Sequence, residues 1–99
     1  MSAYVVGLLT VSNQAWQAEY RARLPAVIQQ HGGRVLTAGA KPEILEGAPV
    51  LPDSLVIIEF PTVTAAKAWY ADPDHQPLIQ LRQSGSGIDL FLIDGPTSV

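Results

Sequence analysis

The chain has 99 residues, enough for one domain around a single modest core, and it holds no cysteine, which excludes disulfide staples and thiolate chemistry. Hydrophobic residues make up 47% and charged residues only 15%, with a net charge of -3. The six basic residues (Arg21, Arg23, Arg34, Lys41, Lys67, Arg82) are scattered, which excludes nucleic acid as a partner, because phosphates demand clustered Lys and Arg.

So few charges on so small a chain leave apolar surface exposed, and that favours self-association. Met1-Ser2-Ala3 lacks the basic region of a secretion signal, and the run Tyr4 to Leu9 is too short to span a bilayer. No membrane partner is expected, and the expected location is cytoplasmic.

Ala3 to Val11, AYVVGLLTV, is β-branched and apolar and reads as a first strand. Tyr4, Val6, Leu8 and Thr10 share one face, and Val5, Gly7, Leu9 and Val11 the other. Neither face is polar. Gly7 lets a helix or a ligand come close. Ser12 or Asn13 is expected to cap a helix on which Trp16, Tyr20, Leu24, Val27, Ile28 and His31 recur at helical spacing, with Gln17 and Arg21 falling largely off that stripe. Pro25 predicts a kink near Leu24, and Gly32-Gly33 ends the helix. Arg34 to Ala38 is a second strand, which Glu43 to Glu46 extends as an arm, and Ala48 to Ser54 is a turn.

Leu55 to Phe60, LVIIEF, is the central strand, with five apolar residues around the single carboxylate Glu59. Again both faces are mostly apolar. Pro61 stops it, and Thr62 or Thr64 caps a helix carrying Val63, Ala66, Trp69 and Tyr70. Asp72-Pro73 reads as a second cap followed by proline at the first helical position, opening a short helix with His75, Leu78, Ile79 and Arg82. Ser84 to Gly87 is a hinge. Ile88 to Ile93 is the last strand, ended by Asp94-Gly95-Pro96.

The order strand, helix, strand, strand, helix, strand is the split βαβ, ferredoxin-like pattern of an α+β fold. It predicts a four-stranded antiparallel sheet with its helices on one face, and one domain over residues 1–99 with a core at about 3–95. The face bearing Tyr4, Val6, Leu8, Leu55 and Ile57 then has no cover within the chain. A second copy can supply it, as a homodimer that buries Glu59 between two stacked sheets.

The strand opening AYVV, the helical EYR, then HGGR, LEG, EFP, AKAWY and Arg82 together resemble a set of small, mainly bacterial proteins, the domain-of-unknown-function family 1330, over about residues 3 to 95. The resemblance implies a ferredoxin-like fold and a dimeric α/β barrel, and it implies no established reaction. Where such sequences often carry tyrosine after the Asp-Pro turn, this chain has His75. The acidic residues often found near Leu8 and Thr10 are absent, so a more apolar ligand site is expected.

Among candidate catalytic residues, Glu59 on an apolar strand would be desolvated, which raises a carboxyl pKa and poises it for proton transfer. The structural alternative is an ion pair with Arg34 or Arg82. His75 and Arg82, seven residues apart, share a helix face. With Trp69 or Tyr70 they could line a pocket mouth, the arginine holding a carboxylate and the histidine moving a proton, or they could simply be solvated. Tyr20 and Trp16 sit at core spacing, and Tyr20 could turn its hydroxyl toward Glu59 or Arg34. His31 is expected at the terminal carbonyls of its helix. No HxH or HExxH pattern predicts a metal, no glycine pair matches a phosphate loop, and no cofactor is expected.

The reading these residues favour is a homodimeric small-molecule-binding protein with Arg82, Arg34, Tyr20, Trp69 and Tyr70 as ligand contacts, taking a small apolar or aromatic acid. The alternative is a cofactor-independent enzyme, such as a monooxygenase, isomerase or cyclase, acting on a small aromatic or polyketide-like acid. Glu59 or His75 would then be the base. A structural dimer without a pocket is the third possibility.

Overall fold

A computed structural model describes residues 2–95 of the chain; Met1 and Pro96 lie outside the described residues. Seven elements follow in order: β1 (Ala3–Val11), α1 (Gln17–Gln30), β2 (Arg34–Ala40), β3 (Ser54–Phe60), α2 (Val63–Ala71), α3 (Gln76–Gln83) and β4 (Ser86–Asp94). The strands form one antiparallel sheet in the order β2-β3-β1-β4. This is the ferredoxin-like arrangement that the element order predicts, with the second helical region divided into α2 and α3.

Strand register fixes which residues share a face. On one face Tyr4 stands opposite Glu59 and Ile93, and Val6 opposite Ile57 and Phe91. On the other, Val5 stands opposite Ile58 and Leu92, and Gly7 opposite Val56 and Leu90. The second face carries the helices. Its core joins Val5, Ile58 and Phe60 of the sheet to Val27 and Ile28 of α1, Ala66 and Trp69 of α2, and Leu78 of α3. The first face is bare of helices, and Phe91 (55% exposed) and Ile93 (51%) stand open on it.

Local chemistry explains most element ends. The Thr62 hydroxyl accepts from the Ala65 N–H at 3.0 Å and caps α2, one of the two threonines expected there. Gly32, at φ 74°, closes α1, and the Gly33 N–H donates back to the Ile28 carbonyl at 3.0 Å. Several boundaries differ from expectation, and β4 already begins at Ser86, inside the stretch expected to be a hinge. α1 starts at Gln17 without a side-chain cap; Asn13 instead accepts from the Ala15 N–H at 3.2 Å, forming its own turn, while its carbonyl takes the Trp16 indole N–H at 2.7 Å. α3 starts at Gln76 after His75, so Pro77 rather than Pro73 fills its first turn, and Asp72 is spent on the turn before it. Residues 43–46 do not prolong β2. They lie in the connection 41–53, where Leu45 and Val50 are almost fully exposed. Among the described residues, no helix is long and apolar enough to cross a membrane.

Candidate functional site

A cavity of about 220 Å³ lies between α1 and the helix-bearing face of the sheet. Val56, Ile58, Ile88 and Leu90 form its floor, Tyr20, Leu24 and Ile28 its helical wall, and Trp69 and Arg82 its inner end. Gln17 and the exposed Arg21 line its open side. Gln17, Arg21, Leu24 and Ile28 recur at intervals of four, three and four, which is one helical row. That row, not recognised in the sequence because two of its members are polar, is the pocket wall. Gly7 sets the floor's depth. A Cβ there would sit 2.7 Å from Val56 Cγ1, 3.0 Å from Ile88 Cδ1 and 3.1 Å from Leu90 Cδ2. Glycine lets those three side chains settle onto the strand and leaves the volume above them free.

Arg82, in the last turn of α3, is only 3% exposed. Its Nη1 donates to the Tyr20 hydroxyl at 3.2 Å, and its Nε has no partner among the described residues. None of the ion pairs among the described residues involves it. Burying an uncompensated guanidinium is unfavourable by several kcal/mol in general. Tyr20 is brought to Arg82 across the α1–α3 contact, so its hydroxyl meets neither Glu59 nor Arg34, the two partners its sequence position suggested.

Trp69 is 2% exposed, and its indole N–H likewise lacks a partner among the described residues. His75 stacks on it, ring centroids 4.3 Å apart and 29° from parallel. Its Nδ1 lies 3.1 Å from the Trp69 carbonyl, which only accepts, so Nδ1 carries the proton and Nε2 is bare. Burial holds the His75 pKa below the ordinary histidine value, opposed by the Trp69 carbonyl and assisted by the charge of Arg82. His75 is therefore neutral and fully buried rather than solvated. It supports Trp69 from behind and does not line the cavity.

The other candidates lie elsewhere. Glu59 is on the helix-free face, where Arg34 Nε donates to its Oε1 at 2.8 Å. That bond holds the Glu59 pKa below the ordinary carboxylate value, against a smaller opposing effect of burial. The expected upward shift is thus reversed, because a cation sits 2.8 Å away across the β2–β3 ladder. Arg34 is largely solvated. Tyr70 points outward, 47% exposed, and its carbonyl accepts from the Gln76 amide at 2.9 Å. His31 reaches Asp72 at 2.7 Å, tying the end of α1 to the α2–α3 turn instead of bonding its own helix terminus; this bond is the main cause of a lowered Asp72 pKa. No metal-holding group of His, Cys, Asp and Glu occurs among the described residues.

Solved structures with this fold are numerous, at low sequence identity. A protein of unknown function from Rhodopseudomonas palustris superposes with a TM-score of 0.78 at 19% identity, over 98% of this chain and 84% of that one. A dimeric ferredoxin-like protein of unknown function from Jannaschia sp. CCS1 gives 0.74 at 15% identity, over 96% and 100%. SnoaB, a cofactor-independent oxygenase from Streptomyces nogalater, gives 0.66 at 17% identity, over 99% and 96%. No curated protein matches the sequence. At these identities the likeness establishes the fold alone. The family model for the domain of unknown function (DUF1330) matches residues 2–96, and the chain belongs to that family.

Proposed function

We propose that this protein is a homodimeric small-molecule-binding protein of one ferredoxin-like domain, whose pocket between α1 and the sheet holds a small apolar or aromatic acid. The observation that carries this is Arg82: a buried guanidinium at the inner end of a mostly apolar cavity, with a tyrosine hydroxyl for company and no paired carboxylate among the described residues. An apolar body fits the floor and walls, and an acidic group answers the charge. Tyr20, Trp69 and Arg82 are the ligand contacts this reading retains. The helix-free face supports the dimer, since it exposes Phe91 and Ile93 beside Val6, Leu8, Leu55 and Ile57, and the structurally similar Jannaschia protein is dimeric.

The enzymatic alternative draws support from SnoaB, which shares the fold. The pocket lining favours binding. Among the described residues it includes no carboxylate and no imidazole, so Glu59 and His75 could act as bases only through other groups. Thermal denaturation across a series of benzoic, naphthoic and medium-chain fatty acids tests the reading. A true ligand at a hundred times its Kd stabilises by about 2.7 kcal/mol. The expected result is a concentration-dependent rise in Tm for a subset of the acids; flat curves across the whole series overturn the proposal.

A further inference from the structure

The connection between β2 and β3, residues 41–53, carries no helix or strand. Loops longer than about 12 residues without structure of their own are uncommon in a compact domain, and those that occur usually bind something or close over it. Glu43 to Leu51 are all exposed, among them Leu45 (96% exposed), Val50 (97%), Ile44 (43%) and Leu51 (37%). Isolated apolar residues on a surface are ordinary, but four large ones on one short stretch mark a surface made for contact. Both ends of the connection hang from the rim of the cavity: Ala38 and Gly39 just before it, and Ser54 just after it, line the pocket. The two ends are held unequally. At the β3 end Pro52 is buried, the Asp53 N–H donates to the Leu9 carbonyl at 2.9 Å, and the Asp53 carboxylate accepts from the Val11 N–H at 2.8 Å. At the β2 end the ladder is irregular between Thr37 and Ala40, and Gly39, at φ 76°, has open space where a side chain would stand. One end is an anchor and the other a hinge.

Resting on the ligand pocket proposed above, we infer that the connection 41–53 is the lid of that pocket, and that Leu45 and Val50 become contacts for the apolar body of the acid when it closes. Leu45 lies six residues beyond Gly39. That length of chain extends to about 20 Å, ample reach to cross the mouth of a cavity of about 220 Å³. Charge favours the same closure. The lid carries Glu43 and Glu46, the open side of the cavity carries Arg21, and none of the three has an ion-pair partner among the described residues. Exposed charges of opposite sign steer and orient a segment more than they hold it. The hold comes from apolar burial, which the lid gains only when a ligand fills the space beneath Leu45 and Val50. The open lid of the free chain and the closed lid of the complex are then two states of one segment, and the acid selects the second by its added contacts.

Limited proteolysis with a glutamate-specific protease reads the lid directly, because Glu43 and Glu46 are cleavage sites within it. In the free chain both are expected to be cut faster than Glu59, inside β3, which a protease reaches only by unfolding. Saturating 2-naphthoate is expected to slow cleavage after Glu43 and Glu46 about tenfold or more. The double variant Leu45→Ser, Val50→Ser removes two side chains that are almost fully exposed in the free chain. Its urea midpoint is expected to match the wild type. Its affinity for 2-naphthoate, measured by titration calorimetry, is expected to fall about tenfold or more, the scale of burying one such side chain. If 2-naphthoate raises Tm while both lid sites are cut as before, or the double variant binds it as tightly as the wild type, the lid is overturned and the pocket stands. If the double variant instead shifts a dimeric wild type toward monomer in sedimentation velocity, these residues pack on a second copy and the lid is likewise overturned. If none of the benzoic, naphthoic and fatty acids raises Tm, the pocket falls and the lid with it.

Discussion

Arg82 donates to the hydroxyl of Tyr20 at 3.2 Å across 62 positions of sequence, joining α3 to α1 over the inner end of the cavity. A phenol shares a hydrogen bond with a guanidinium but carries no compensating charge. The pairing therefore orients Arg82 while leaving its charge available. Replacing Arg82 with methionine keeps much of the side-chain volume and removes the buried cation. Urea denaturation is expected to show stability within about 1 kcal/mol of the wild type or above it, as when buried ionic groups give way to apolar ones. Acid binding is expected to disappear. A large fall in stability would mark Arg82 as structural.

Gly7→Ala tests the cavity floor. The new methyl collides with Val56, Ile88 and Leu90, whose side chains can yield only toward the cavity or against their neighbours. Overpacking of this kind destabilises by about 1–3 kcal/mol. Equilibrium unfolding is expected to fall in that range, and ligand affinity to drop as the pocket shrinks. Unchanged affinity would mean that the cavity above Gly7 is not the binding site.

Glu59 bears on pH dependence. Its pKa is lowered in the folded chain, chiefly by the hydrogen bond from Arg34. The unfolded state then binds the proton more readily, so the pair's contribution is present above the ordinary glutamate value of about 4.5 and lost as the pH falls below it. Glu59→Gln is expected to flatten this acid limb in denaturation midpoints measured from pH 6 to pH 3. The residue lies on the opposite face of the sheet from the pocket, so affinity for an apolar acid is expected to stay within about twofold. A loss of binding in this variant would move the site to the helix-free face.

Much of this was legible in the sequence. The β-branched, apolar runs of β1, β3 and β4 pointed to strands with two apolar faces, and the element order pointed to the sheet. Thr62 and Gly32 announced the end of one helix and the start of another through local chemistry that needs no tertiary context. The site was harder to read. Arg82 and Trp69 were visible as candidates, but their burial depends on α3 folding back onto α1. No local pattern distinguishes a buried arginine from a solvated one. Glu59 carried two readings, and the ion pair with Arg34 is the one that holds; the desolvated base fails because Arg34 stands directly opposite Glu59 in the β2–β3 register. Tyr20 was assigned to the wrong partners for the same reason: the helix stripe shows that it turns inward but not which element it meets.

Ile57→Asp addresses the dimer. Ile57 pairs with Val6 in the middle of the helix-free face. Obligate interfaces bury on the order of 2,000 Å² and have core-like composition, so a central carboxylate is strongly unfavourable there. Sedimentation velocity is expected to show a dimer for the wild type and a monomer or aggregate for the variant. A wild type that stays monomeric at micromolar concentration contradicts the dimer.

The most direct measurement is a two-dimensional ¹H–¹⁵N NMR titration with 2-naphthoate that follows the side-chain N–H signals of Arg82 and Trp69. The pocket assignment calls for saturable shifts in both signals, accompanied by backbone shifts along α1 from Gln17 to Ile28. Shifts confined to Tyr4, Phe91 and Ile93 on the helix-free face, with the Arg82 and Trp69 signals unmoved, would contradict it.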